Sequence, residues 1–125
     1  MPVITLKDGT KLEAAANRRL VLALEDSGID ILHRCGGHAQ CTTCRVRFIA
    51  GEPETMTDAE RERLQARGLL GTARLSCQVL CDHDMRVEVV NRLSASDFTD
   101  PGPRPDEAIT PDPVWGARPD AGSQG

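Results

Sequence analysis

The segment Cys35-Gly36-Gly37-His38-Ala39-Gln40-Cys41-Thr42-Thr43-Cys44 carries three of the five cysteines of this 125-residue chain. Its spacing is C-x5-C-x2-C, and two further cysteines, Cys77 and Cys81, follow much later in the chain. A polar loop with glycines offers its cysteines little apolar burial, which argues against ordinary core thiols. Three thiolates from one loop and a fourth from a distant segment can converge on one compact metal centre.

Two kinds of metal centre use four thiolates. A 2Fe-2S cluster takes two on each iron, and a structural zinc ion takes all four in a tetrahedron. Zinc modules usually pair two close cysteine couples, whereas Cys35 and Cys77 each stand apart in this sequence. The spacing therefore favours a single 2Fe-2S cluster, and a zinc-stabilised interaction module remains the alternative. A thioredoxin-like role for Cys41 and Cys44 would need a βαβ context that the pattern lacks.

The residues between these cysteines suit a cluster. Gly36 and Gly37 allow backbone conformations closed to other residues, and successive N–H groups of a curled loop can donate to sulfur, as in an anion-binding nest. Thr42 and Thr43 could add hydroxyl donors, and His38 is expected to face solvent. Hydrogen bonds of this kind tune the reduction potential of a cluster.

Spacing alone does not choose the fourth ligand. Cys81 lies only four residues beyond Cys77, so either thiol could complete the set on this criterion.

A resemblance to a known family favours one of them. The segment Arg34 to Arg47, together with Arg74-Leu75-Ser76-Cys77-Gln78, resembles the 2Fe-2S ferredoxins of plant and adrenodoxin type over roughly residues 2 to 92. The resemblance implies a ubiquitin-like β-grasp fold, a role as electron donor to other oxidoreductases, and cluster ligation by Cys35, Cys41, Cys44 and Cys77. The loop is one residue longer than the plant-type C-x4-C-x2-C spacing, as in the adrenodoxin-like branch, whereas the glycine pair is closer to plant and bacterial members.

The pattern of the remaining sequence predicts an α+β domain. Residues 3–6 and 10–14 form a predicted hairpin around Asp8-Gly9, and residues 45–50, 75–80 and 85–90 alternate or are apolar, as in strands. Asn17 is a plausible N-cap of one main helix that ends at Gly28. This order indicates a mixed sheet crossed by that main helix, with the cysteine loop between the helix and the next strand.

A short second helix is predicted from a capping box, Thr57-Asp58-Ala59-Glu60, to Gly68. Acidic and basic residues alternate in and before it, from Glu52 to Arg67. We expect a solvated face of mixed charge here.

Composition divides the chain into a domain of residues 1–93 and a tail of residues 94–125. Residues 97–125 hold six of the eight prolines, and with six acidic against two basic residues they account for the net charge of −4. Such a segment has too little apolar surface to offset its ordering entropy, so a disordered, Pro-, Asp- and Gly-rich acidic tail is predicted. Only Phe48, Phe98 and Trp115 are aromatic, so the core is expected to be aliphatic.

These observations predict a one-electron carrier that passes electrons from a separate reductase to a separate acceptor oxidoreductase, and not an enzyme. The chain has no G-x-G-x-x-G motif, no clustered basic face for nucleic acid and no apolar stretch of membrane-spanning length. A cytoplasmic location is expected, because nothing at the N-terminus resembles a signal peptide. A monomer is the default expectation, since the sequence does not reveal the oligomeric state. A regulatory module switched by its cluster is the alternative from another functional class.

Overall fold

The computed structural model describes residues 2–40 and 42–117. Its strands are β1 (Val3–Leu6), β2 (Lys11–Glu13), β3 (Arg18–Arg19), β4 (Arg45–Ala50), β5 (Thr55–Thr57), β6 (Arg74–Leu75), β7 (Leu80–Cys81), β8 (Met85–Val89) and β9 (Trp115–Ala117). Its helices are α1 (Leu20–Asp26) and α2 (Asp58–Ala66), and short 3-10 turns span Ser76–Gln78 and Leu93–Ala95. Neither α1 nor α2 has the length and apolar character of a membrane span.

Five strands form the main sheet in the order β2-β1-β8-β4-β6. The predicted hairpin is confirmed: β1 and β2 pair antiparallel, and Gly9 in the turn has a φ of 95°. The predicted strands at residues 45–50 and 85–90 are also confirmed as β4 and β8. Strand β8 pairs parallel with β1 and antiparallel with β4, so the sheet is mixed as predicted.

Helix α1 supplies much of the core. Its residues Leu20 to Leu24 are buried in one cluster with Ile4, Val46, Leu75 and Val87 of the sheet. The core is aliphatic as expected, and it also contains three cysteines, Cys44, Cys77 and Cys81.

The predicted start of the main helix is wrong. The helix begins at Leu20 after an N-cap at Arg19, and Asn17 has a φ of 63°. The physical reason is a long-range pairing that local sequence does not reveal: Arg18 and Arg19 form β3 against β7, and Asn17 N–H donates to Cys81 O at 2.8 Å. The predicted end is confirmed, since Gly28 follows the helix with a φ of 89°.

The second helix has the predicted bounds, but the predicted exposure of its charged residues is not found at Glu60. Thr57 caps α2 by accepting from Glu60 N–H at 3.1 Å, and Gly68 follows its end with a φ of 69°. The expectation that Glu60 belongs to a solvated face is wrong, because this residue is fully buried. Its carboxylate accepts from Arg74 Nε at 2.8 Å instead of returning to the Thr57 N–H.

The predicted strand at residues 75–80 is also wrong. Strand β6 stops at Leu75, a 3-10 turn covers Ser76–Gln78, and β7 then pairs with β3 outside the main sheet. Two buried polar contacts break the strand: Ser76 Oγ donates to Cys44 O at 2.7 Å, and Arg19 Nε donates to Cys77 O at 2.9 Å. The turn brings Cys77 to the cysteine loop.

The C-terminal segment (residues 97–117) lies along the domain in the structure. Its Ile109 is 5% exposed, β9 pairs with β5, and Arg34 Nη1 donates to Asp100 O at 2.9 Å. Its partners are backbone and charged groups far away in sequence, which composition does not reveal. The domain boundary at residue 93 and the disorder of the tail stay predictions, and the end of the predicted tail lies outside the described residues.

Candidate metal centre

The cysteine loop connects the region after α1 to β4, and its backbone is curled. Positive φ angles occur at Gly36 (73°), Gly37 (84°), Ala39 (58°) and Thr42 (58°). Residues in this left-handed region turn successive N–H groups to one side, which is the geometry of an anion-binding nest.

Hydrogen bonds fix both ends of this loop. Arg34 N–H donates to Thr43 Oγ1 at 2.9 Å, which joins the start of the loop to its end. Asn91 Nδ2 donates to Thr43 O at 3.3 Å and ties the loop to the segment after β8. The Thr43 hydroxyl, which the sequence suggested as a donor to the cluster, here accepts a bond that shapes the loop.

Two of the predicted ligands, Cys44 and Cys77, lie together beneath the loop. Both are buried, and the backbone bond from Ser76 N–H to Cys44 O at 3.2 Å holds their two segments side by side. The contact with the Cys77 side chain, together with burial, raises the pKa of the Cys44 thiol. Residues far apart in the sequence thus present two adjacent sulfur atoms.

The surroundings of Cys77 favour its thiolate. The pKa of Cys77 is lowered, first by the hydrogen bond from Cys44 and further by the Gln78 side chain, the Ala39 N–H and the charge of Arg19, against the opposing effect of burial. Gln78 Nε2 lies 3.7 Å from the sulfur. Metal is ligated by the thiolate form, so Cys44 must also lose its proton to act as a ligand. The Gln78 and Ala39 donors and the charge of Arg19 do not depend on that proton, and they fit a cluster ligand at Cys77.

Cys35 and Cys41 complete the predicted ligand set. Cys35 is half-buried on the loop, and Cys41 lies outside the described residues. Within residues 2–40 and 42–117, no three His, Cys, Asp or Glu side chains are grouped closely enough to hold a metal ion. The structure therefore brings Cys44 and Cys77 together and leaves Cys35 outside that pair. None of the four described cysteines is in a disulfide.

Cys81, the other possible fourth ligand, has a different environment. It lies on β7 opposite Arg18 and is fully buried among core residues. Burial raises the pKa of its thiol to about 12. What separates Cys81 from Cys77 is its position, because Cys81 belongs to β7, which pairs with β3, and Cys77 belongs to the turn held beside Cys44.

Sequence reasoning missed three side chains that build this site. Ser76 and Gln78 belong to the segment used for the family resemblance, but spacing gives them no role. Arg19 precedes the apolar run of α1 and reaches the site only through tertiary packing. His38, as expected, is exposed on the loop.

Replacing Gly37 by alanine is expected to damage the loop. A Cβ at this position would lie 2.8 Å from Arg19 Nη2 and 2.8 Å from the Cβ of Pro105, and the φ of 84° already disfavours a side chain. We expect Gly37→Ala to lower the free energy of unfolding by about 2–3 kcal/mol and to reduce the iron bound per chain.

Gly68→Ala is the matched control. Gly68 also has a positive φ, but no described atom outside its immediate neighbours would lie within 4 Å of the added Cβ. Urea unfolding should show only the conformational cost of about 1 kcal/mol there. Equal losses in the two variants would contradict the close approach of Arg19 and Pro105 as the cause.

The chain resembles proteins of known type. Residues 4–82 match the family model for the 2Fe-2S iron–sulfur cluster binding domain. The chain is 39% identical over 80 residues to a component of the Na(+)-translocating NADH-quinone reductase of Chlamydia felis, covering 63% of this chain but only 18% of that protein. It is 38% identical over 80 residues to 2Fe-2S ferredoxin-5 of Aquifex aeolicus, covering 61% of this chain and 82% of the relative.

Solved structures give the same result for the fold. An ISC-like 2Fe-2S ferredoxin from Pseudomonas putida superimposes with a TM-score of 0.60 at 26% identity, over 72% of this chain and 93% of that one. Reduced putidaredoxin from the same species superimposes with a TM-score of 0.53 at 28% identity, over 72% and 95% of the two chains. The predicted α+β, β-grasp fold is confirmed.

Proposed function

This chain belongs to the family of 2Fe-2S iron–sulfur cluster binding domains, and we propose from that premise that Cys35, Cys41, Cys44 and Cys77 hold its cluster. The chain is an electron carrier with a single 2Fe-2S cluster.

One observation carries the ligand set: the adjacent sulfur atoms of Cys44 and Cys77, one from the loop and one from a remote turn. Cys35 lies on the same curled loop as Cys44, and Cys41 lies between them in sequence. Because ligation adds free energy to the folded state, we expect cluster binding to draw the sulfurs of Cys35 and Cys41 to this pair.

A bound 2Fe-2S cluster accepts and releases one electron at a time. The chain holds the ligands in place with the hydrogen bonds from Arg34 to Thr43 and from Ser76 to Cys44. Rigid ligands need little rearrangement when the charge of the site changes, so a fixed loop suits repeated electron exchange. The N–H donors around the Cys77 sulfur favour the added negative charge.

The proposed partners are a separate reductase and a separate acceptor oxidoreductase. The 125 residues contain no G-x-G-x-x-G motif for a dinucleotide, so a nicotinamide donor would need another protein or domain. The chain spans only 18% of the length of the Chlamydia felis relative. We propose a carrier that transforms no substrate; its cytoplasmic location, its monomeric state and a regulatory role stay predictions.

Metal analysis tests the proposed cluster. Purified protein is expected to be red-brown, to bleach on addition of dithionite, and to contain about two iron atoms and two acid-labile sulfides per chain. Iron and sulfide assays measure this directly, with visible absorption as the second readout. A colourless protein that contains one zinc ion per chain would overturn the proposal in favour of the zinc module.

A further inference from the structure

Arg19 is the largest side chain that is fully buried in the described part of the molecule, with an exposed fraction of 0%. It forms the N-cap position of α1. Burying a charged group is unfavourable unless its hydrogen-bond donors find partners. The partners of the Arg19 guanidinium therefore explain how this side chain is tolerated in the interior.

The hydrogen bonds of this guanidinium within the described residues go to backbone carbonyls. Nε donates to Cys77 O at 2.9 Å, and Nη2 donates to Cys77 O at 2.7 Å and to Gly37 O at 2.6 Å. Nη1 donates to Asp106 O at 2.8 Å and to Ala108 O at 3.1 Å.

The described hydrogen-bond partners of Arg19 are therefore neutral groups. Its hydrogen-bond partners within residues 2–40 and 42–117 include no carboxylate. The other large buried guanidinium, that of Arg74, differs in this respect because it meets the buried carboxylate of Glu60 at 2.8 Å. Carbonyl dipoles satisfy the donors of Arg19 but carry no net charge, so its positive charge can act on the neighbouring Cys77 sulfur.

This charge lies at the cysteine site. Two of the bonded carbonyls belong to Cys77, one of the proposed ligands, and to Gly37 of the loop. Because the C=O and N–H of a trans peptide point in opposite directions, the guanidinium also orients the N–H groups of His38 and Gln78 away from itself. The other two carbonyls belong to the C-terminal segment, so one side chain joins the loop, the Cys77 turn and that segment.

We propose that Arg19 is a positioning residue of the electron-transfer site whose buried charge raises the reduction potential. The inference rests on the ligand set proposed above. Reduction transfers one electron from an external donor, with no bond made or broken, and adds one negative charge to the site. A fixed positive charge in a low-dielectric interior stabilises the reduced state relative to the oxidised state.

Potentiometric titration of a charge series tests this role, with dithionite as the reductant and visible absorption as the readout. Arg19→Lys keeps the charge but loses most of the carbonyl bonds, whereas Arg19→Met and Arg19→Gln remove the charge. At a fixed ambient potential, the ratio of reduced to oxidised protein is expected to fall about tenfold in the two neutral variants, which is 59 mV for one electron. The Arg19→Lys variant should stay closer to the wild-type ratio.

Arg18→Met is the matched control, because it removes the same charge one residue earlier. Arg18 is partly exposed and forms ion pairs with Asp26 and Glu107. Its removal is expected to leave the potential nearly unchanged, since solvent screens an exposed, paired charge. The thermal midpoint of the apoprotein should fall more in Arg19→Met than in Arg18→Met, which reports the carbonyl bonds without the cluster.

The outcomes separate this inference from the ligand assignment. Loaded Arg19→Met or Arg19→Gln with a wild-type potential would overturn the inference and leave the cluster ligands untouched. An equal fall in the Lys and neutral variants would assign the effect to the carbonyl bonds and overturn the role of charge. If Arg19→Met does not load, Arg19→Gln, which can still donate to a carbonyl, provides the neutral member of the series. Failure of the ligand set itself would show as a cluster retained in Cys77→Ser.

Discussion

Replacing Cys77 by serine is expected to abolish the visible absorption of the protein and to lower the bound iron at least tenfold. The substitution removes one of the four proposed thiolates, and a serine hydroxyl does not ionise near neutral pH as a cysteine thiol does. It also removes the sulfur that accepts from Cys44 and Gln78 beneath the loop. Absorption spectra and iron assays of the purified variant measure the loss.

Cys81→Ala is the control for this experiment. Cys81 is as deeply buried as Cys77 and only four residues away, but it lies on β7 opposite Arg18 and not on the turn beside Cys44. Alanine avoids burying a hydroxyl, so a cost of about 1 kcal/mol for the lost sulfur is expected, with iron content unchanged. Loss of the cluster in Cys81→Ala and its retention in Cys77→Ser would reverse the assignment.

Replacing Glu60 by alanine is expected to give the largest loss of stability. Its carboxylate accepts from Arg74 Nε at 2.8 Å, from Arg74 Nη2 at 3.1 Å and from Leu75 N–H at 2.8 Å, and all these groups are buried. Among the described residues, removing it leaves the Arg74 charge with the more distant Glu52 carboxylate and two carbonyls. Breaking a buried pair in this way costs about 3–5 kcal/mol.

The same substitution is expected to shorten the lifetime of the cluster. Glu60 anchors α2 to β6, and β6 leads directly into the turn that carries Cys77. Unfolding of the apoprotein in urea gives the free-energy change, and the decay of visible absorption in mild urea gives the cluster lifetime. The free energy of unfolding and the cluster lifetime should both fall in Glu60→Ala.

Arg61→Ala is the control for Glu60→Ala. Arg61 lies on the same helix, and its ion pair with Asp58 at 3.4 Å is about half exposed. Exposed pairs contribute about 0.2–1 kcal/mol, so a small effect on both measurements is expected. Losses of equal size in the two variants would contradict the importance of the buried pair.

Local sequence patterns predicted the parts of the fold that depend on local forces. The Asp8-Gly9 turn, the alternation of β4 and the ends of both helices at Gly28 and Gly68 follow from backbone preferences within a few residues. The prediction of residues 75–80 as one strand was wrong, since Arg19 and Ser76 form bonds that no window of neighbouring residues contains.

The sequence by itself determined the chemistry of this protein. Three cysteines in C-x5-C-x2-C spacing with two glycines, and a distant fourth cysteine, indicated a 2Fe-2S centre, because ligand type and loop length limit which metal site can form. The family resemblance, and not the spacing, chose Cys77 as the fourth ligand. Only the tertiary structure decided which charged side chains are buried and which of them lie next to the cysteine site. Glu60 and Arg19 are charged residues of the kind that usually lie at the surface. Only the packing of segments remote in sequence shows that both are buried. Glu60 is paired there with Arg74, and Arg19 lies beside Cys77. Burial of a charge depends on partners that fold together from across the chain, so local pattern cannot reveal it.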